Sequence, residues 1–229
     1  MLVRIKYRKT SAGRFMSHLD LLRTIERIFR RAGLPMAFSE GFNPHPKVSF
    51  GSALAVGITS DAEYLDVELR EEFPLDQLRE RLDVAVPSGI EIMEIRQLQT
   101  RTRSLTAQIN MARYRVYVPL AEKMEASELE QLIQKAMVQP TFIVTRDGKK
   151  GKRQVDIKNG IYKLEGRLDE DYIILQIDVQ TGSEGNIRPE EVVEMLRKTG
   201  DLYLREGLQI HRLGLYVREE AAIKTPLEI

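Results

Sequence analysis

The sequence predicts an α+β protein built of tandem ferredoxin-like domains, βαββαβ twice over, each an antiparallel sheet with helices on one face. Two observations predict this. Segments of period-2 alternation and segments of helical period follow one another as strand, helix, strand, strand, helix, strand. The same order then recurs in the second half of the chain, with one extra hairpin inside it. Residues 1–97 form the first domain, 98–112 a polar connector carrying Arg101 and Arg103, and 113–229 the second domain with an inserted basic hairpin.

Each element has its own signal. "LVRIKY" (Leu2–Tyr7) sets Leu2, Arg4 and Lys6 against Val3, Ile5 and Tyr7, which predicts a strand with one wet face. Ser17 opens a helix with Asp20 three positions on, a capping box in its Asp form. Gly33 ends that helix and Pro35 cannot continue it. Val48–Val56 and Tyr64–Leu69 are expected strands, with "GITSDA" as the turn between them; Leu65, Val67 and Leu69 face in while Asp66 and Glu68 face out. Pro74–Leu82 is a short helix with proline in its first turn, and Gly89–Ile95 closes the unit.

The second half repeats the pattern. "ARYRVYVPL" is a strand, and Ser127–Val138 a helix capped by Ser127 with Glu130 at the third position. "TFIVTR", "RQVDI", "GIYKLEG" and "YIILQIDV" are successive strands. "RPEEVVEMLRKTG" is a helix that Pro189 enters and Gly200 leaves, and "LQIHRLGLYV" is the last strand.

Composition narrows the chemistry. There is no cysteine, so this chain's thiolates hold no disulfide, zinc or iron–sulfur cluster. The first residues lack an apolar signal core and no run is long enough to span a bilayer, so a cytoplasmic protein without membrane contact is expected. The net charge of +1 hides local asymmetry. Residues 1–50 hold ten basic residues against three acidic, and residues 51–100 hold four against eleven. A basic face of this kind is the usual electrostatic footprint for phosphate; the alternative is pairing of neighbouring segments across the surface.

Three stretches are candidate sites. On the first helix Leu21, Leu22, Ile25, Ile28, Phe29 and Ala32 gather on one side, and Arg23, Arg27, Arg30 and Arg31 on the other. These arginines are candidate RNA ligands, against an ordinary solvated face. "RDGKKGKRQVDIK" places Lys149, Lys150, Lys152 and Arg153 at the tip of a hairpin, suited to a phosphate backbone because counterion release needs charge more than a fixed fit. "SEGFNPHPKVSF" (Ser39–Phe50) lies in a connection longer than compact domains normally use, and two prolines hold it extended. Phe42, Asn43, His45 and Lys47 make it a candidate ligand or partner loop; the alternative is a segment that steers the chain under the sheet. His18 stands in the first turn of its helix and His211 inside the last strand, and both suit structural roles. Three histidines scattered singly make no metal constellation.

The run from Arg14 to Leu69, through "FMSHLD", "LP", "SEGFNPHP", "SF" and "EYLD", resembles an uncharacterised bacterial family whose members occur beside, or fused behind, cobalamin-binding radical-SAM proteins. The resemblance implies association with a separate radical-SAM enzyme that supplies the iron–sulfur cluster, S-adenosylmethionine and cobalamin, this chain binding none of them. The family also neighbours ribonuclease and ribosomal-protein genes, which points toward RNA or the ribosome. The tandem layout is similar to CRISPR repeat-processing endoribonucleases, with His18 in a comparable place, but "TGSEGN" (Thr181–Asn186) departs from their glycine-rich loop. The expected function is an RNA-binding or substrate-presenting accessory protein without catalysis of its own. The rivals are a metal-independent endoribonuclease using His18, and a protein docking subunit that does not touch RNA.

Overall fold

The structure is a computed structural model, and it describes residues 1–99, 103–148, 151–220 and 222–229. The described chain divides into two compact units, Met1–Asn110 with Arg212–Ile229, and Met111–His211.

In the first unit the elements are β1 (Leu2–Lys9), α1 (His18–Arg31), β2 (Val48–Phe50), β3 (Thr59–Glu68), α2 (Leu75–Ala85), β4 (Ile90–Leu98) and the short α3 (Leu105–Gln108). β1 lies between β3 and β4 and is antiparallel to both, and β2 pairs antiparallel with β3, Val48 opposite Val67. The order β4-β1-β3-β2 is that of a ferredoxin-like split βαβ. Leu21, Ile25, Ile28 and Phe29 of α1, with Leu78 and Leu82 of α2, form one buried cluster with Val3, Ile5, Leu65 and Val67 of the sheet. The Ser17 hydroxyl accepts from the Asp20 amide and the Asp20 carboxylate from the Ser17 amide, which closes the expected capping box. Gly33, at φ 63°, follows the helix in the left-handed conformation that glycine adopts freely.

The second unit contains β5 (Met111–Pro119), α4 (Ala126–Met137), the hairpin β6 (Ile143–Gly148) and β7 (Gly151–Asp156), then β8 (Ile161–Asp169), β9 (Tyr172–Gln180) and α5 (Pro189–Gly200). β5, β9 and β8 are neighbours in that order and antiparallel, while β6 and β7 form a separate two-stranded sheet. The final long strand, β10 (Gln209–Arg218), has residues 209–211 in this unit and continues from Arg212 beside β3 in the first, where the short β11 (Ile223–Lys224) pairs with it. Both halves follow the βαββαβ order, and the hairpin interrupts the second as expected.

Five expectations change. The last strand was expected whole in a second domain spanning 113–229; most of it falls in the first compact unit, together with the connector up to Asn110, where α3 forms. β3 begins at Thr59, so "GITSDA" is largely strand and the turn lies earlier. α4 starts at Ala126, with the Glu128 carboxylate accepting from the Glu125 amide, two residues earlier than the expected Ser127 and Glu130. The expected wet face of β1 is covered: Arg4 is fully buried, with Nε and Nη2 on the Asp66 carboxylate at 2.7 and 2.9 Å and Nη1 on the Pro226 carbonyl. Asp66, expected to face water, is buried with it. Alternation of charged residues does not tell a solvated face from one sealed by ion pairs.

Candidate nucleic-acid interface

The apolar stripe of α1 turns inward and leaves Arg23, Arg27 and Arg30 exposed. None of the three enters an ion pair among the described residues. Hydrogen bonds from the Ser17 hydroxyl and amide hold the Asp20 carboxyl below the usual carboxylate range, and Arg23 and Arg27 add to the same effect through their fields. Arg31 does something else. Its Nη2 donates to the Ala85 carbonyl at the last turn of α2, satisfying one of the orphan carbonyls there.

The "SEGFNPHP" stretch is an ordered, closed loop. The Ser39 amide donates to the His45 carbonyl, the His45 amide to the Ser39 hydroxyl, and the Lys47 amide to the Ala37 carbonyl, while Phe38 bridges to Pro46. Residues 39–45 therefore project from a pinned base, in the manner of a compact surface loop. Gly41 sits at φ 117°, which a side chain would strain. Phe42 is fully exposed at 106%, and Asn43 and His45 are exposed beside it. Lys47 is drawn away, its Nζ 3.2 Å from Glu68.

A groove of about 290 Å³ lies between α1 and the segment that leads into the loop. Glu26 and Arg30 of α1, Leu34, Pro35, Met36, Phe38 and Arg70 line it. The Arg70 guanidinium lies 5.7 Å from the centroid of the half-exposed Phe38 ring. Arg70 escaped the sequence reading because it follows the strand as a single basic residue before Glu71 and Glu72.

The basic hairpin is less available than its composition suggests. Arg146 makes a bidentate pair with Glu191 at 2.7 and 2.6 Å and also donates to the Asn186 carbonyl, anchoring the hairpin to its own unit. Asp156 ties down the base, accepting from the Phe142 and Lys158 amides, bonds that also hold its carboxyl below the usual range. Lys152 and Arg153 are exposed, but they lie on β7 and not at the tip. Lys149 and Lys150 lie outside the described residues, as does Arg101.

His18 and His45 are not brought together. His18 packs edge-on against Phe50, ring centroids 5.1 Å apart at 76°. It stands at a narrow cleft lined also by Tyr7, Lys9, Met16, Ser17, Ser52 and Glu63, with about 20 Å³ enclosed. The Arg212 Nη1 lies 3.0 Å from both Glu63 carboxylate oxygens and 3.0 Å from the Ser52 carbonyl, and its Nη2 donates to the Ala53 carbonyl. The quoted pieces "FMSHLD", "SF" and "EYLD" all contribute to this cleft. Lys9, Glu63 and Arg212 went unnoticed as site residues because each reads as an ordinary charge within a strand pattern. Among the described residues no cluster of histidines and carboxylates suited to a metal occurs.

A profile of bacterial proteins described as "Uncharacterized protein conserved in bacteria (DUF2344)" matches residues 3–189. The chain belongs to the DUF2344 family. No curated protein matches it. Among solved structures it is similar to a chain of a Cbf5-Nop10-Gar1 complex, at 12% identity and TM-score 0.50, covering 92% of this chain and 47% of that one. A chain of the archaeal box H/ACA sRNP Nop10-Cbf5 complex matches at 10% identity and TM-score 0.46, with 92% and 46% covered. The DUF2344 chain thus spans about half the length of these structural relatives, and the first likeness bears on the fold. Among its described residues no helix is long and apolar enough to cross a membrane.

Proposed function

We propose that this DUF2344 protein is a cytoplasmic RNA-binding accessory protein that engages RNA through α1, the groove beside it and the 39–45 loop. One observation carries the reading: Arg23, Arg27, Arg30 and Arg70 have no carboxylate partner among the described residues, Arg30 and Arg70 share a groove with the half-exposed Phe38, and Phe42 in the following loop is fully exposed. Unpaired guanidinium groups neutralise phosphates and release counterions, while aromatic faces accept stacked bases of single strands. The β6–β7 hairpin adds Lys152 and Arg153 as further phosphate contacts. Partnership with a radical-SAM enzyme that carries the cluster, S-adenosylmethionine and cobalamin belongs to the same proposal and rests on the sequence resemblance alone. RNA would then be presented to the partner and not cut here.

The test is direct. Purified protein should bind single-stranded RNA with an affinity that falls steeply as salt rises, and leave total bacterial RNA intact in chelator. Absence of salt-dependent binding sinks the proposal. Discrete cleavage abolished by His18→Ala would favour a nuclease instead.

A further inference from the structure

The cleft beside His18 contains a charge problem that the RNA interface does not use. Lys9, on the last position of β1, is 3% exposed, yet among the described residues its Nζ has one partner, the Met16 carbonyl at 2.9 Å. An ammonium has three donors, so two lack a protein acceptor among the described residues, and no carboxylate of those residues lies within 4.0 Å of it. Burial lowers the lysine's pKa and the Arg212 charge adds to this, while Glu63 opposes it. Glu63 is already occupied by Arg212, so it offers little to a cation entering the cleft. The Asp20 carboxylate is taken up by Ser17 at the start of α1. Tyr7, buried, keeps its proton, its pKa raised first by desolvation. Two buried cations therefore face one buried carboxylate.

We propose that this cleft is a phosphate-binding site, with Lys9 as the counter-charge. The enclosed space of about 20 Å³ admits one oxygen-sized group, so a single phosphate oxygen would reach Lys9 while the rest of the group stays at the mouth beside Ser17 and His18. The start of α1 adds a favourable field: the Asp20 amide is already capped by the Ser17 hydroxyl, and the His18 and Leu19 amides remain without helical acceptors. A carboxylate would satisfy Lys9 equally but would leave the His18 and Leu19 amides unused, since Ser17 is committed to Asp20, and phosphate has the oxygens to meet both. The site needs no RNA chain, so it stands or falls separately from the interface on α1 and the loop.

The experiment is an amide-resolved NMR titration of the whole chain with inorganic phosphate. The expected result is saturable shifts confined to Lys9, Met16–Leu21 and Phe50–Leu54, weakened at least tenfold in Lys9→Met. Absence of saturable shifts in the wild type, or shifts unchanged in a folded Lys9→Met, overturns the proposal. Should Lys9→Met fail to melt cooperatively, Lys9→Gln serves the same comparison. A second arm sets a 5′-phosphorylated oligonucleotide against its 5′-hydroxyl form. Preference for the phosphorylated one at these same amides assigns the phosphate to a nucleic-acid end, and equal binding assigns the site to free phosphate. Loss of RNA binding with the phosphate shifts intact would remove the interface and leave this site standing.

Discussion

Two sets of arginines in this chain stand in contrast. Arg4 and Arg212 are buried, and Arg113 and Arg146 partly so; each meets a carboxylate at 2.6–3.0 Å. Arg23, Arg27, Arg30 and Arg70 of the first unit are without such a partner among the described residues. The difference separates what an arginine does for the fold from what it can do for a ligand. A buried guanidinium with every neighbour satisfied locks strands together, and removing it strands its carboxylate in a low dielectric. An exposed one contributes little to stability and keeps its full charge for phosphate.

The largest expected effect lies in the first population. Arg212→Met leaves Glu63 buried without its clamp and should cost about 3–5 kcal/mol, a fall of roughly 10 °C in melting temperature. A loss below about 1 kcal/mol in denaturant unfolding would show that the pair is not structural. Next comes the second population. Replacing Arg23, Arg27 and Arg30 together with alanine should leave melting within a few degrees while weakening RNA binding by roughly 50-fold. Comparable losses of stability in both variants would erase the distinction.

Phe42→Ala isolates stacking from charge. It should reduce affinity for single-stranded RNA about tenfold, with the salt slope unchanged. The smallest effect concerns Lys9, an imperfectly compensated cation between the two populations. Its folded pKa lies below 10.5, so the folded state disfavours its proton, and this cost is relieved as pH climbs from the lowered value toward 10.5. Lys9→Met should be more stable than wild type by about 1 kcal/mol near pH 7, and the gap should narrow as pH rises toward 10.5. The raised Tyr7 pKa acts in both chains and cancels. A gap constant with pH in unfolding curves would place the variant's effect in packing.

Much of this was legible in the sequence. The Ser17–Asp20 box, Gly33 after α1, the alternation of β1 and β3 and the βαββαβ order were all readable because they depend on neighbours in the chain. So was the protruding loop, since its prolines and its length are local facts. The buried ion pairs were not legible. Arg4 meets Asp66 and Arg212 meets Glu63 across 62 and 149 residues, and each charge alone reads as solvated. The groove was equally hidden, because Arg30, Phe38 and Arg70 share it only after β3 returns beside the loop. Composition also overstated the hairpin, where Arg146 is spent on Glu191.

The central claim is that the unpaired arginines of α1 contact phosphate. The slope of log affinity for single-stranded RNA against log salt, measured for wild type and for the Arg23, Arg27 and Arg30 triple alanine variant, tests it most directly. The account predicts a slope shallower by about 2 in the variant, from three lost phosphate contacts at ~0.7 each, with melting nearly unchanged. Identical slopes in two equally folded proteins would contradict it.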